Sequence, residues 1–134
     1  DETVPVIQSP ANLPDINCNS PLPTPQVLTA TDNCGNIPAM AEVLPFTINI
    51  CNGYTVTHRW TALDACGNMA VPVTRSFLVR PDTQGPMITT PQNITVNTTN
   101  NLCTANVTVP PLVVTDNCST FSIINNFTNT FKEA

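Results

Sequence analysis

Three kinds of side chain in this sequence could do chemistry: six cysteines, a single histidine, and a set of acidic residues placed at turns. The cysteines are Cys18, Cys34, Cys51, Cys66, Cys103 and Cys118. Structural zinc sites usually draw on close C-x₂₋₄-C pairs. No two of these cysteines lie that close, and His58 alone cannot complete a Cys/His set. Oxidation to disulfides is the chemistry that fits, and it implies an oxidising compartment. Nucleophilic and acid–base sites need convergent His, Cys, Ser or carboxylate groups. His58 lies inside a strand-like run, where a partly buried or edge-strand role is expected, and the chain reads as a non-enzyme. There is no glycine-rich phosphate loop.

The acidic residues at turns are Asp1, Glu2, Asp32, Asp64, Asp82 and Asp116. Calcium takes six to eight oxygen ligands, which Asp and Asn side chains and loop carbonyls can supply. The D-x-D-x-D-G spacing of an EF-hand is absent. Calcium is therefore a candidate cofactor, with Asp64 and Asp82 the residues best placed to hold it. The commoner role of such residues is to form Asx-turns and caps.

The elements that must position these groups follow from composition. In 134 residues there are 14 prolines, 41% hydrophobic residues and only 10% charged ones. Proline breaks helices and Thr and Asn form them poorly, so short strands joined by turns are expected. The basic residues are Arg59, Arg75, Arg80 and Lys132, against a net charge of −5. That excludes a basic face for nucleic acid and a polybasic membrane anchor. No apolar run approaches the roughly 18 residues of a transmembrane helix. With no signal peptide and no Met before Asp1, the chain reads as a processed or excised piece of something longer.

The sequence repeats itself. Asp1–Ile7 resembles Asp82–Ile88, Ser9–Leu13 resembles Thr90–Ile94, and Val27–Cys34 resembles Pro111–Cys118. One repeat would run over 1–81, and a second, cut short, over 82–134. The second retains Cys103 and Cys118, the counterparts of Cys18 and Cys34. If those two pair with each other, the first repeat should use Cys18–Cys34 and Cys51–Cys66. Each bridge would close a loop of about 15 residues, for roughly 3 kcal/mol in the chain-entropy model.

Strand signals recur at short spacing. In Tyr54–Ala62, the residues Tyr54, Val56, Trp60 and Ala62 share one face and the threonines and Arg59 the other. Val71, Val73, Phe77 and Val79 line up similarly, interrupted by Arg75. Val56, Trp60, Phe77 and Val79 are the expected core. Further candidates are Ala41–Ile50, Asn93–Thr98, Ala105–Val109 and Phe121–Phe127. Turns are expected at Asn33–Asn36, Asn52-Gly53, Cys66–Asn68 and Gly85-Pro86. This pattern describes an all-β chain of antiparallel β-sandwiches. Asn93, Asn97, Asn106, Asn117 and Asn126 each open an N-x-[ST] triplet, a glycan acceptor only in a eukaryotic secreted protein.

The stretch Tyr54–Ala70, with its Trp-Thr-Ala-Leu-Asp-Ala-Cys-Gly-Asn run, followed by Asp82-Thr83-Gln84-Gly85-Pro86, resembles the hyalin-repeat (HYR) pattern. Cysteines in the Asp32–Gly35 and Asp64–Asn68 turns resemble the versions found in giant surface adhesins of Bacteroidota, including gliding-motility adhesins. His58-Arg59 and Leu63 depart from that pattern. The resemblance implies tandem, disulfide-stapled immunoglobulin-like sandwiches at the cell surface, outside the cell, acting as stalk repeats of a large secreted adhesin. The partners it implies are neighbouring repeats of the same polypeptide. Alternatives are a module that binds surface glycans or proteins, and an assembly subunit that exchanges strands with another chain.

Overall fold

A computed structural model describes residues 1–98, 104–118, 121–124 and 130–132. These residues form strands and turns with no helix. Accordingly, none of the described residues lies in a helix long and apolar enough to cross a membrane. The chain divides into two compact units, Asp1–Thr83 and Gln84–Ala134.

The first unit holds two three-stranded sheets. In one, β1 (Val6–Ile7), β2 (Thr29–Asp32) and β3 (Gly35–Pro38) lie in that order. In the other, β4 (Met40–Val43), β5 (Tyr54–Thr61) and β6 (Val73–Val79) do so. Every ladder is antiparallel. The β2–β3 hairpin turns through Asn33 and Cys34, with Asp32 opposite Gly35. The expected Asn33–Asn36 turn is therefore tighter than its residue types suggest, because Gly35 and Asn36 already belong to a strand. The expected strand over Ala41–Ile50 is trimmed to β4. Pro45 lacks an N–H and restricts Leu44, so the ladder ends after Leu44 N donates to Thr57 O.

β5 is the central strand, and its alternation decides the core. Val56, His58 and Trp60 are buried, while Thr55 is exposed. On the outward face Thr57 meets Ser76, hydroxyl to hydroxyl at 2.8 Å, and Arg59 pairs with Glu42. Both partners of that ion pair are solvated, so it contributes a fraction of a kcal/mol up to about 1. On the inward face two apolar clusters form. Trp60 joins Ala62, Ala70, Ile7, Leu28 and Ala30, which brings residues of both sheets together. Val56, Phe77 and Val79 form the other, with Leu13, Ile16, Phe46 and Tyr54 against it. Trp60 donates its ring N–H to Gln26 O at 2.8 Å, which satisfies its one polar atom.

His58 sits between these clusters. It is 1% exposed, with its ring edge-on to Trp60 at 6.0 Å and to Phe77 at 5.4 Å. The expectation of a partly buried or edge-strand histidine is thus corrected: period-2 alternation puts residue 58 on the same face as 56 and 60. Arg75, the apparent interruption in β6, lies directly across from it. One terminal N–H of its guanidinium donates to Pro10 O at 2.9 Å, while its Nε is buried without a partner.

The edge of β6 beyond Phe77 is capped by an incoming segment. Ile16 N donates to Leu78 O and Arg80 N to Ile16 O, a parallel bridge of Ile16 to Val79. Nearby, Gly53 turns the chain into β5 with φ +75°. An added Cβ there would stand 2.7 Å from Val79 O, so only glycine fits.

In the second unit, β7 (Met87–Thr89) pairs with β9 (Val113–Thr115), and β8 (Thr104–Asn106) with β10 (Thr130–Lys132), both antiparallel. The β7–β9 register repeats that of β1–β2. Val6↔Thr31 and Ile7↔Ala30 recur as Met87↔Thr115 and Ile88↔Val114, each residue shifted by 81 (87 − 6, 88 − 7) or 84 (115 − 31, 114 − 30). The environments differ. Ile7 is 7% exposed, whereas Ile88 is 61% exposed. Among the described residues, the expected strand over Asn93–Thr98 pairs with no other strand, Ala105–Val109 shortens to β8, and Phe121–Ile124 is irregular. The remainder of Phe121–Phe127 lies outside the described residues.

Candidate functional site

The residues with the most chemical potential gather where the β2–β3 hairpin, the turn after β5 and the N-terminus meet. Asp1, Asp32 and Asp64 bring carboxylate oxygens within 4.8 Å of one another. Asp64 closes its own turn. Its Oδ1 accepts from Cys66 N at 2.9 Å and Asn68 N at 2.8 Å, and its Oδ2 from Asn68 Nδ2 at 2.7 Å. The Asn68 side chain foremost, helped by these backbone N–H groups, holds the Asp64 carboxyl below its ordinary value. Asp1 ties the turns together. Its Oδ1 accepts from Thr3 N and Asn33 Nδ2, its Oδ2 from Cys34 Sγ at 3.1 Å, and its backbone oxygen from Asn68 Nδ2 at 3.2 Å. Asp32 Oδ1 accepts from Asn33 N, while Asp32 Oδ2 is buried and accepts nothing.

An all-oxygen set of this kind suits calcium, which takes six to eight oxygens. Apart from Asp32 Oδ2, however, every carboxylate oxygen of the three already accepts a hydrogen bond. The arrangement ties Asp1 by hydrogen bonds to the β2–β3 hairpin and to the turn after β5.

The placement differs from the expected calcium pair. Asp64 lies in this cluster, but Asp82 does not. Tyr54 pairs with Val79 and Trp60 with Val73, so Asp82, three residues past Val79, falls at the opposite end of the ladder. There Asp82 N donates to Ile50 O at 2.8 Å. Six residues of strand separate those ends, about 20 Å. The turn signals Asp-Asn-Cys-Gly and Asp-Ala-Cys-Gly-Asn contained the right residues. What they lacked was the fold-level fact that β2 and β5 end on the same side.

The cysteine pairings are corrected by the same geometry. Cys34, Cys51 and Cys66 carry free thiols, all exposed. Cys18 and Cys118 are each in a disulfide and carry no free thiol. Neither Cys18–Cys34 nor Cys51–Cys66 is therefore formed, and Cys103 lies outside the described residues. Cys51 precedes β5 and Cys66 follows it, and the eight residues of that strand hold them roughly 25 Å apart. Cys18 follows Ile16 beside Val79, whereas Cys34 is at the Asp1 end. Disulfides need Cα atoms within about 7 Å.

Val56, Trp60, Phe77 and Val79 are all buried, at 1%, 1%, 3% and 1% exposure. His58 is too deeply enclosed to meet a substrate, and burial pushes its pKa down. Comparisons with protein-family models, with curated proteins and with solved structures return no match.

Proposed function

We propose that this chain is a pair of structural repeats from the stalk of a large secreted cell-surface adhesin, built as immunoglobulin-like sandwiches of the HYR type. The observation that carries the reading is the recurrence of the β1–β2 register in β7–β9 with shifts of 81 and 84 residues. A spacer needs repeats that fold by local pairing and contact only their neighbours. It needs no catalytic centre. The all-β architecture, low charge and buried lone histidine suit that role. Its partners would be adjacent repeats, and its place outside the cell.

The second reading, a glycan- or protein-binding module, draws on the second unit. Ile94, Val96, Val107 and Val109 line an open groove of about 570 Å³ there, and Phe121 is 41% exposed. Sugar recognition commonly uses an exposed aromatic ring with polar groups around it. A glycan array probed with the 134-residue chain separates the two. The spacer reading expects signals no higher than those of an unrelated β protein. Binding that disappears in Phe121→Ala would replace it with the binding-module reading.

A further inference from the structure

The antiparallel order sorts the cysteines of the first unit to opposite ends of the β5–β6 ladder, and this brings two free thiols to one end. Cys34 occupies the tip of the β2–β3 hairpin, and Cys66 the turn closed by Asp64 and Asn68. The two turns are built alike. Each cysteine stands two residues after an aspartate and directly before a glycine of positive φ, Gly35 at +133° and Gly67 at +91°. A single residue joins them. Cys34 Sγ donates to Asp1 Oδ2 at 3.1 Å, while Asn68 Nδ2, two residues from Cys66, donates to Asp1 O at 3.2 Å. The carboxylates that open the two turns, Asp32 and Asp64, lie within 4.8 Å of each other. Both thiols are exposed. Nothing lies within 4 Å of the Cβ position at Gly35 or Gly67, so neither turn is packed over at its glycine.

We propose that Cys34 and Cys66 form a disulfide under oxidising conditions, a crosslink that fastens the hairpin tip to the turn after β5 beside Asp1. A small-molecule disulfide such as oxidised glutathione serves as oxidant. One cysteine thiolate attacks a sulfur of the oxidant and expels the first glutathione thiolate, leaving a mixed disulfide. The second cysteine thiolate attacks the protein sulfur of that mixed disulfide and expels the other glutathione. Two protein thiols are oxidised, one glutathione disulfide is reduced to two thiols, and the two protein protons end on those thiols. Cys34 Sγ gives up its hydrogen bond to Asp1 in the process. The pairing depends only on the first unit's topology, and it stands whether or not the chain is a stalk.

The test oxidises the folded 134-residue chain with glutathione disulfide, alkylates the remaining thiols, and cleaves before Asp and after Glu. Residues 15–31, 32–42, 43–63 and 64–81 then fall in separate peptides with one cysteine each. The expected result is 32–42 joined to 64–81, with 43–63 joined to neither. The urea midpoint of the oxidised chain should rise, and reductant should reverse the rise. In Cys34→Ser, peptide 64–81 should stay uncrosslinked and the rise should vanish. Recovery of 32–42 joined to 15–31 or 43–63 would overturn the proposal. So would 32–42 and 64–81 both remaining alkylated after prolonged oxidation.

Discussion

Trp60→Ala should cost about 3–5 kcal/mol, the range for emptying a buried aromatic site. Trp60 is 1% exposed and packs with Ile7 of β1 and Ala30 of β2, and with Ala62 and Ala70 in the segment between β5 and β6. Its removal would also strand the Gln26 carbonyl that its ring N–H now serves. Total stability of a domain this size is commonly about 5–15 kcal/mol, so the variant should lose a fifth or more of it. Urea unfolding followed by far-UV circular dichroism reads this directly. A loss under about 1 kcal/mol would mean that Trp60 does not anchor the core.

His58 should make the fold acid-sensitive, and His58→Leu should relieve it. Both ring nitrogens of His58 are buried without a hydrogen-bond partner. The groups facing it are Trp60, Phe77 and, across the two ladders, Val43 and cationic Arg75, and none of them offers an anionic acceptor. Burial lowers the pKa in the folded state, while the unfolded chain keeps the ordinary value of about 6.5. Between those two values the unfolded state binds the extra proton. Stability is therefore fully present above pH ~6.5 and falls as pH drops toward the folded pKa, with a limiting slope of about 1.4 kcal/mol per pH unit. Leucine fills similar space with no polar atom. It should raise stability by about 1–3 kcal/mol at neutral pH and remove the part of the slope below pH ~6.5 that His58 causes. Equal slopes in the two proteins would show that His58 does not titrate in the folding equilibrium.

What the sequence reveals and what it hides have the same cause. Short-range pattern was legible. The alternation in Tyr54–Thr61 and Val73–Val79 identified two strands and four buried residues, because a face that packs inward leaves a period of two in the letters. The same alternation turns His58 inward in the structure, but the sequence reading leaves it off that face, because a polar side chain between Val56 and Trp60 reads as an exception until the packing is seen. Thr29–Asp32 and Gly35–Pro38 carry no strong strand signal; their pairing is imposed by a two-residue hairpin around Asn33-Cys34. Long-range proximity was not legible. Pairing each cysteine with its sequence neighbour ignores the fact that a strand carries the chain to the far end of the sheet, which is where Cys66 stands relative to Cys51. Asp64 and Asp82 are separated in the same way. The cluster of Asp1, Asp32 and Asp64 draws on residues 31 and 32 positions apart, and only the strand order brings them together.

The recurring register of β1–β2 in β7–β9 is the physical basis for reading the chain as repeats, and the stalk proposal requires those repeats to be part of a long polypeptide. The most direct measurement is the intact mass of the native polypeptide taken from its source, reduced and non-reduced. A stalk segment predicts a mass on the order of hundreds of kDa, many times the unit described by one repeat. A native mass near 14.4 kDa would contradict it, and a small binding or strand-exchanging subunit would then be the better description.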